Sequence, residues 1–178
     1  GALEGERLTV RGQKMAALGN DPRLAAMLMA AQGEDEIATA AKLAAILEEP
    51  PRGGSSDLGQ AFSRNQGNWQ QRAQQLCKRL NSRGGVPDSE SISRLLAQAF
   101  PDRIARRRGL DGRYQLANGM GAMLDSDDAL TRHEWLIAPL LLQGSNSPDA
   151  RILQAIAVDI DALTRTCPHL LQQSDIVE

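Results

Sequence analysis

Residues 108–124 read Arg108-Gly109-Leu110-Asp111-Gly112-Arg113-Tyr114-Gln115-Leu116-Ala117-Asn118-Gly119-Met120-Gly121-Ala122-Met123-Leu124. Within this stretch the spacing of apolar residues changes from helical to alternating. The dipeptides Asp111-Gly112 and Asn118-Gly119 flank Tyr114 and Leu116, and Met120, Ala122 and Leu124 follow at every second position. Asp-Gly and Asn-Gly supply the positive φ angles of tight hairpin turns, and alternation marks a half-buried strand. The spacing therefore predicts a small β domain from about residue 109, preceded by a helical region that runs to about Arg107.

Downstream, Trp135 to Leu142 and Arg151 to Val158 are two further strand candidates. They are joined by Gln143-Gly144-Ser145-Asn146-Ser147-Pro148, a segment rich in turn formers. Pro139 lacks an amide proton, which confines its strand to an edge or a bulge. Asp159 or Asp161 is placed to open a short helix ending near Pro168, and Asp175-Ile176-Val177 reads as a strand at the end of the chain. The β domain is expected to be incomplete.

Upstream, the period is helical. Thr9 is a plausible cap for a first helix that Gly19-Asn20 ends, and Asp21-Pro22 opens a second one running to about Gln32. Aspartate accepts free first-turn amides, and proline at the first helical position loses no hydrogen bond. Glu34-Asp35-Glu36 complements the positive end of a third helix, whose apolar face runs from Ile37 through Ala40, Ala41, Ala44, Ile46 and Leu47. Pro50 to Ser56 sustains neither helix nor central strand and is expected to be a mobile surface loop. Leu58 to Leu80 keeps helical spacing with a weak point at Gly67-Asn68, so two helices or one broken helix are expected. After the turn Arg83-Gly84-Gly85-Val86-Pro87, Asp88 or Ser89 caps a helix through Ile92, Leu95, Leu96 and Phe100.

Composition agrees with helices that pack through small residues. Aromatics are only 3% of the chain against 42% hydrophobic residues, which argues against an aromatic-rich sandwich. The net charge of −2 rules out a bulk electrostatic grip on nucleic acid, so any such grip must be local. Cys77 and Cys167 are far apart and lack Cys-x-x-Cys spacing, so both read as reduced filler residues. The run from Trp135 to Leu142 is too short for a membrane helix. The chain opens on Gly1-Ala2-Leu3 without a methionine and is expected to be part of a longer protein.

The local exception in charge is Arg103, Arg106, Arg107, Arg108 and Arg113. Five arginines against Asp102 and Asp111 give residues 102–113 a net charge of +3. Guanidinium forks match phosphate oxygens in bidentate geometry, which makes these five the candidate nucleic-acid-binding residues. The bland alternatives are a solvated helix end or salt bridges to nearby acids. Trp69 and Trp135 could stack on bases, but both lie in apolar patterns that suit a core. Gly53-Gly54-Ser55-Ser56-Asp57-Leu58-Gly59 has the glycines of a phosphate loop without its lysine, and no acidic magnesium motif is present, so no catalytic, cofactor or metal site is expected. His133 and His169 lack partners at metal-ligand spacing, and Asp125, Asp127 and Asp128 read as a solvated turn.

Gly1-Ala2-Leu3, Leu8-Thr9, Gly12, Lys14-Met15-Ala16 and Asp21-Pro22-Arg23-Leu24-Ala25 resemble the start of the helicase-associated region of DEAH-box RNA helicases. Ile37 to Leu47 resembles that region's next helix, and Phe100-Pro101, Arg106, Tyr114, Ser126, Leu130, Trp135 and Arg151 resemble its passage into an OB-like domain. The resemblance implies a fold that is mostly α with a small β domain: a winged-helix tail over 1–19, a helical ratchet bundle over 20–108, and a partial OB-like β-barrel over 109–178. It also implies a cytoplasmic, non-catalytic accessory region whose parent chain uses ATP and Mg in RecA-like domains. Its partners would be those domains and single-stranded RNA or DNA, with no membrane. A protein-interaction scaffold is the alternative. Many members of the family carry a His-Pro-Ser-Ser type stretch where this chain has Leu124-Asp125-Ser126-Asp127-Asp128, and an acidic loop repels phosphate.

Overall fold

The structure, a computed structural model, describes residues 3–4, 7–8, 10–19 and 21–172. The chain divides into two compact units, one made of Gly1–Glu49 with Asn65–Leu95 and the other of Pro50–Arg64 with Leu96–Glu178. The first is helical apart from the paired short strands β1 (Leu3–Glu4) and β2 (Arg7–Leu8). The expected Thr9 cap and the strand at 175–177 fall outside the described residues.

In the first unit, α1 (Val10–Leu18) leads to α2 (Pro22–Ala30), α3 (Gly33–Glu48) and, after the excursion into the second unit, α5 (Gly67–Arg79). Asp21 caps α2 by accepting from the amides of Arg23 at 2.8 Å and Leu24 at 3.4 Å, a contribution of about 1 kcal/mol. The alanines Ala40, Ala41, Ala44 and Ala45 of α3 are buried, and their short side chains allow close helix packing. Trp69 is buried, with its indole N–H donating to the Glu49 carbonyl at 2.9 Å. It is a core residue and has no exposed face for a base.

The acidic first turn of α3 also holds the segment before α6 (Ile92–Ala99). Glu34 accepts from the Ser82 hydroxyl and from the amides of Arg83 and Gly84, and Asp35 accepts from the Val86 amide at 2.9 Å. The Ser82 hydroxyl and the two amides hold the Glu34 carboxyl below the usual carboxylate range, against a smaller opposing effect of burial. Buried Thr39 accepts from the Asp88 amide at 2.8 Å while donating to the Asp35 carbonyl at 2.8 Å.

The second unit contains α4 (Leu58–Ser63) and a barrel of β3 (Ile104–Arg107), β4 (Arg113–Leu116), β5 (Gly121–Met123), β6 (Trp135–Leu142) and β7 (Ala150–Ala157), followed by α7 (Ile160–Thr166) and α8 (Pro168–Gln172). The strands close a ring in the order β3-β4-β5-β7-β6, every pair antiparallel except β5 with β7. The expectation of a partial barrel is therefore corrected: pairing of β3 with β6 closes the described sheet. Its interior is filled by Ala105, Tyr114, Leu116, Ala122, Leu124, Leu136, Ala138, Ile152 and Ala155.

The helical reading to Arg107 is also corrected. Helix α6 stops at Ala99, a short 3-10 turn covers Pro101–Arg103, and Ile104–Arg107 is a strand. A residue before proline is disfavoured in the α region, which ends the helix at Phe100-Pro101. The run Ile104-Ala105-Arg106-Arg107 has too few apolar residues to advertise period two. Met120, read as part of the alternation, sits instead in the turn after Asn118-Gly119 and is 44% exposed. Pro139 lies on an interior strand, where the β6–β7 register shifts between Ile137 and Leu140, so a bulge accommodates its missing donor.

The break between α4 and α5 falls at residues 64–66, next to the expected weak point. The loop 50–56 is docked along β7 at its end: the Ala155 amide donates to the Ser56 carbonyl at 2.8 Å and Gln154 Nε2 donates to the Ser55 carbonyl at 3.4 Å. No described helix is long and apolar enough to cross a membrane. Cys77 and Cys167 are free thiols, Cys167 fully buried.

Candidate nucleic-acid interface

The five arginines singled out from the sequence lie in the second unit, in different surroundings. Strand alternation sets the direction of Arg106. Ala105 points into the barrel, while Arg106 faces outward, opposite Trp135 on β6. The Arg106 guanidinium lies 5.4 Å from the centre of the half-buried Trp135 ring, and its Nε is 3.4 Å from Glu134 Oε1. Arg103 pairs with Asp102 at 3.6 Å.

Arg107 has a structural task. Its Nη1 donates to the carbonyls of Thr131 at 3.3 Å and Arg132 at 3.1 Å, and its amide donates to the Glu134 carbonyl at 2.7 Å. The Tyr114 hydroxyl lies 2.7 Å from the His133 carbonyl and 3.0 Å from that of Leu130, so its proton is shared between them. Burial pushes the Tyr114 phenol up, partly opposed by the charge of Arg107. Together these two side chains satisfy the carbonyls at the end of the 3-10 turn Ala129–Arg132, whose start Asp128 caps through the Leu130 amide at 2.9 Å.

Arg108 and Arg113 frame the hairpin loop between β3 and β4. The Arg108 amide donates to the Arg113 carbonyl at 2.7 Å, which closes the loop and leaves both side chains exposed. Gly112 makes the turn possible. Its φ is +83°, and a Cβ there would lie 2.6 Å from the Leu124 carbonyl oxygen. Arg113 Nε is 3.2 Å from Asp111 Oδ2, with both side chains about 60% exposed (62% and 60%), a pairing that water screens and that is worth at most about 1 kcal/mol. A phosphate can displace it at little cost.

This loop and the loop 143–149 between β6 and β7 border an open groove of about 530 Å³, with Arg108, Asp111, Arg113, Gly121, Pro148 and Asp149 in its walls. A shallower hollow of about 270 Å³ shares Asp149 and includes Met123, Leu142 and Arg151. Pairing across β4, β5, β7 and β6 sets Arg113, Met123, Arg151 and Leu142 in one outward row. Arg151 pairs with Asp125 at 3.3 Å. It was absent from the sequence cluster because it is distant along the chain. Its signal was present in the outward phase of an alternating strand. Of the acidic loop 125–128, Asp125 and Asp128 thus have partners within the barrel.

The structure brings Arg108 and Arg113 together at one groove, adds Arg151 nearby, turns Arg106 toward Trp135 and uses Arg107 to hold backbone. No protein-family model matches the chain. Over all 178 residues it is 77% identical to the ATP-dependent RNA helicase HrpB of Escherichia coli strain K12, matching that protein's C-terminal region and spanning 22% of its length. A crystal structure of the E. coli DExH-box NTPase HrpB superposes with a TM-score of 0.89 at 77% identity, covering 95% of this chain and 21% of that one. A crystal structure of the E. coli DEAH/RHA helicase HrpB gives 0.84 at 73% identity, covering 90% and 20%. The chain therefore spans about a fifth of the length of these relatives.

Proposed function

We propose that this chain, which corresponds along its whole length to a C-terminal region of the HrpB helicases, is the accessory part of such an enzyme that grips single-stranded RNA. ATP and Mg belong to RecA-like domains of the parent chain, which supply the motor against which this part holds its strand in the cytoplasm. The helical unit acts as the ratchet bundle and the barrel as an OB-like domain. In barrel order the strands run first-second-third-fifth-fourth and back to the first, with the third parallel to the fifth. That order supports the OB-like reading, since a five-stranded Greek-key barrel of this kind binds oligonucleotides over its second and third strands and the loops beside them.

The observation that carries the proposal is the groove between loops 108–112 and 143–149 with Arg108 and Arg113 exposed at its edge. Arg106 and Trp135 offer a second contact for a passing strand, a cation beside an aromatic face. The competing scaffold reading draws on the pairing of Arg103, Arg106 and Arg113 with neighbouring acids, and on exposed Leu110, Met123 and Leu142.

Photo-crosslinking of 4-thiouridine RNA to the chain, with peptide mapping, separates the two readings. Crosslinks in loops 108–112 and 143–149 are expected. Crosslinks confined to the helical unit, or none under conditions where the parent helicase crosslinks, would overturn the proposal.

A further inference from the structure

One carboxylate of the groove is seated on a glycine. A Cβ built on Gly121 would lie 2.0 Å from Asp149 Oδ1 and 2.9 Å from its Cγ, so the Asp149 carboxylate rests directly on the β5 residue that has no side chain. Across the groove Asp111 is occupied by Arg113 at 3.2 Å, and in the adjoining hollow Asp125 is occupied by Arg151 at 3.3 Å. Asp149 has no ion pair among the described residues. Its backbone is fixed by the Ser147 hydroxyl, which accepts from its amide at 3.3 Å.

An ionised carboxylate is an acceptor on both oxygens and donates nothing. It repels phosphate, so its place in a groove edged by arginines calls for a ligand that brings donors as well as negative charge. A nucleotide does both. Among the four bases, guanine alone presents two adjacent donors, N1–H and N2–H, at the spacing of two carboxylate oxygens. Adenine and cytosine offer one exocyclic amine, and uracil one ring N–H. In a single strand these edges are unpaired and open to reading.

We propose that Asp149, seated on Gly121, makes this groove a guanine-selective subsite for a single strand, accepting from N1–H and N2–H while Arg108 and Arg113 hold the flanking phosphates. The inference rests on the RNA-gripping reading above and adds a base preference to it. Substituting Gly121 would displace the carboxylate, which gives that glycine a role in the subsite.

The test compares short oligouridine strands carrying one central guanine, inosine, adenine or cytosine, bound to the chain and followed by fluorescence anisotropy. The guanine strand is expected to bind about tenfold more tightly than the others, the scale of one good bidentate base contact. Inosine, which lacks the 2-amino group, loses most of that gain in wild-type protein, so this arm needs no variant. Asp149→Asn, whose amide turns a donor toward one of the guanine N–H groups, abolishes the preference while its thermal melt stays that of the wild type. The same preference is expected in DNA strands, because the base edge is being read; tighter binding of RNA than DNA whatever the central base, with no guanine preference in either, would mean that the carboxylate reads the 2′-hydroxyl, and would overturn the inference. Equal affinity for all four strands, or a guanine preference that survives in Asp149→Asn, also overturns it and leaves the RNA-gripping reading standing. Failure of every strand to bind brings down both.

Discussion

Single arginines of one cluster perform different tasks, and the difference follows from their positions on strand and loop. Arg107 donates to two backbone carbonyls of the Ala129–Arg132 turn. Arg107→Ala leaves those acceptors without a charged donor and is expected to destabilise the protein by about 1–3 kcal/mol, read as a lower midpoint in a urea melt. Arg108→Ala and Arg113→Ala remove exposed side chains and are expected to stay within about 0.5 kcal/mol of wild type. A melt unchanged by Arg107→Ala would contradict the structural role given to that side chain. The sequence disclosed that this stretch was basic. It did not disclose which guanidinium turned inward, because that depends on the phase of a strand whose alternation is masked by consecutive arginines.

The elements themselves were largely legible where local chemistry marks their ends. Asp21-Pro22 opens α2 and Asp159 caps α7 through the Asp161 and Ala162 amides, as their side chains foretold. Strand β3 was missed for lack of apolar residues, and the closure of the barrel was not legible because the β3–β6 and β5–β7 pairs are long-range in sequence. The clip at the start of α3 has a pH consequence. The Glu34 carboxyl is held below its usual range by the Ser82 hydroxyl and the Arg83 and Gly84 amides. The sign follows from linkage: a carboxylate with a lowered folded pKa stabilises fully above its unfolded pKa and loses that contribution as pH falls through the folded value. The Arg83 and Gly84 amides are therefore expected to be held at neutral pH and released as pH falls below the carboxylate range, seen as a shift in their NMR resonances that Glu34→Gln abolishes at neutral pH. Gly112→Ala belongs to the same scale. With φ at +83° and the Leu124 carbonyl 2.6 Å from the added Cβ, it is expected to lower the thermal midpoint clearly, since both the backbone and its neighbour are strained.

At the scale of the whole chain, a linear reading did not reveal that residues 50–64 leave the helical unit to join the barrel unit. Their composition reports a loop and a helix and is silent about which core receives them. The functional reading divides in the same way: resemblance identified the kind of protein, charge singled out the arginine-rich stretch, and only the fold separated Arg108 and Arg113 from Arg107. With neither a phosphate-loop lysine nor an acidic magnesium motif in its sequence, the chain is expected to show no ATP hydrolysis with or without RNA, checked by phosphate release. The proposed grip on RNA is tested most directly by measuring single-stranded RNA affinity against salt for wild type and for the Arg108→Ala/Arg113→Ala double variant. Each lost phosphate contact should shallow the logarithmic salt slope by about 0.7, so the double variant is expected to bind more weakly with a slope shallower by about 1.4, twice that amount, and with its melt unchanged. Unchanged affinity and slope in a folded double variant would contradict the account and favour a protein-docking scaffold.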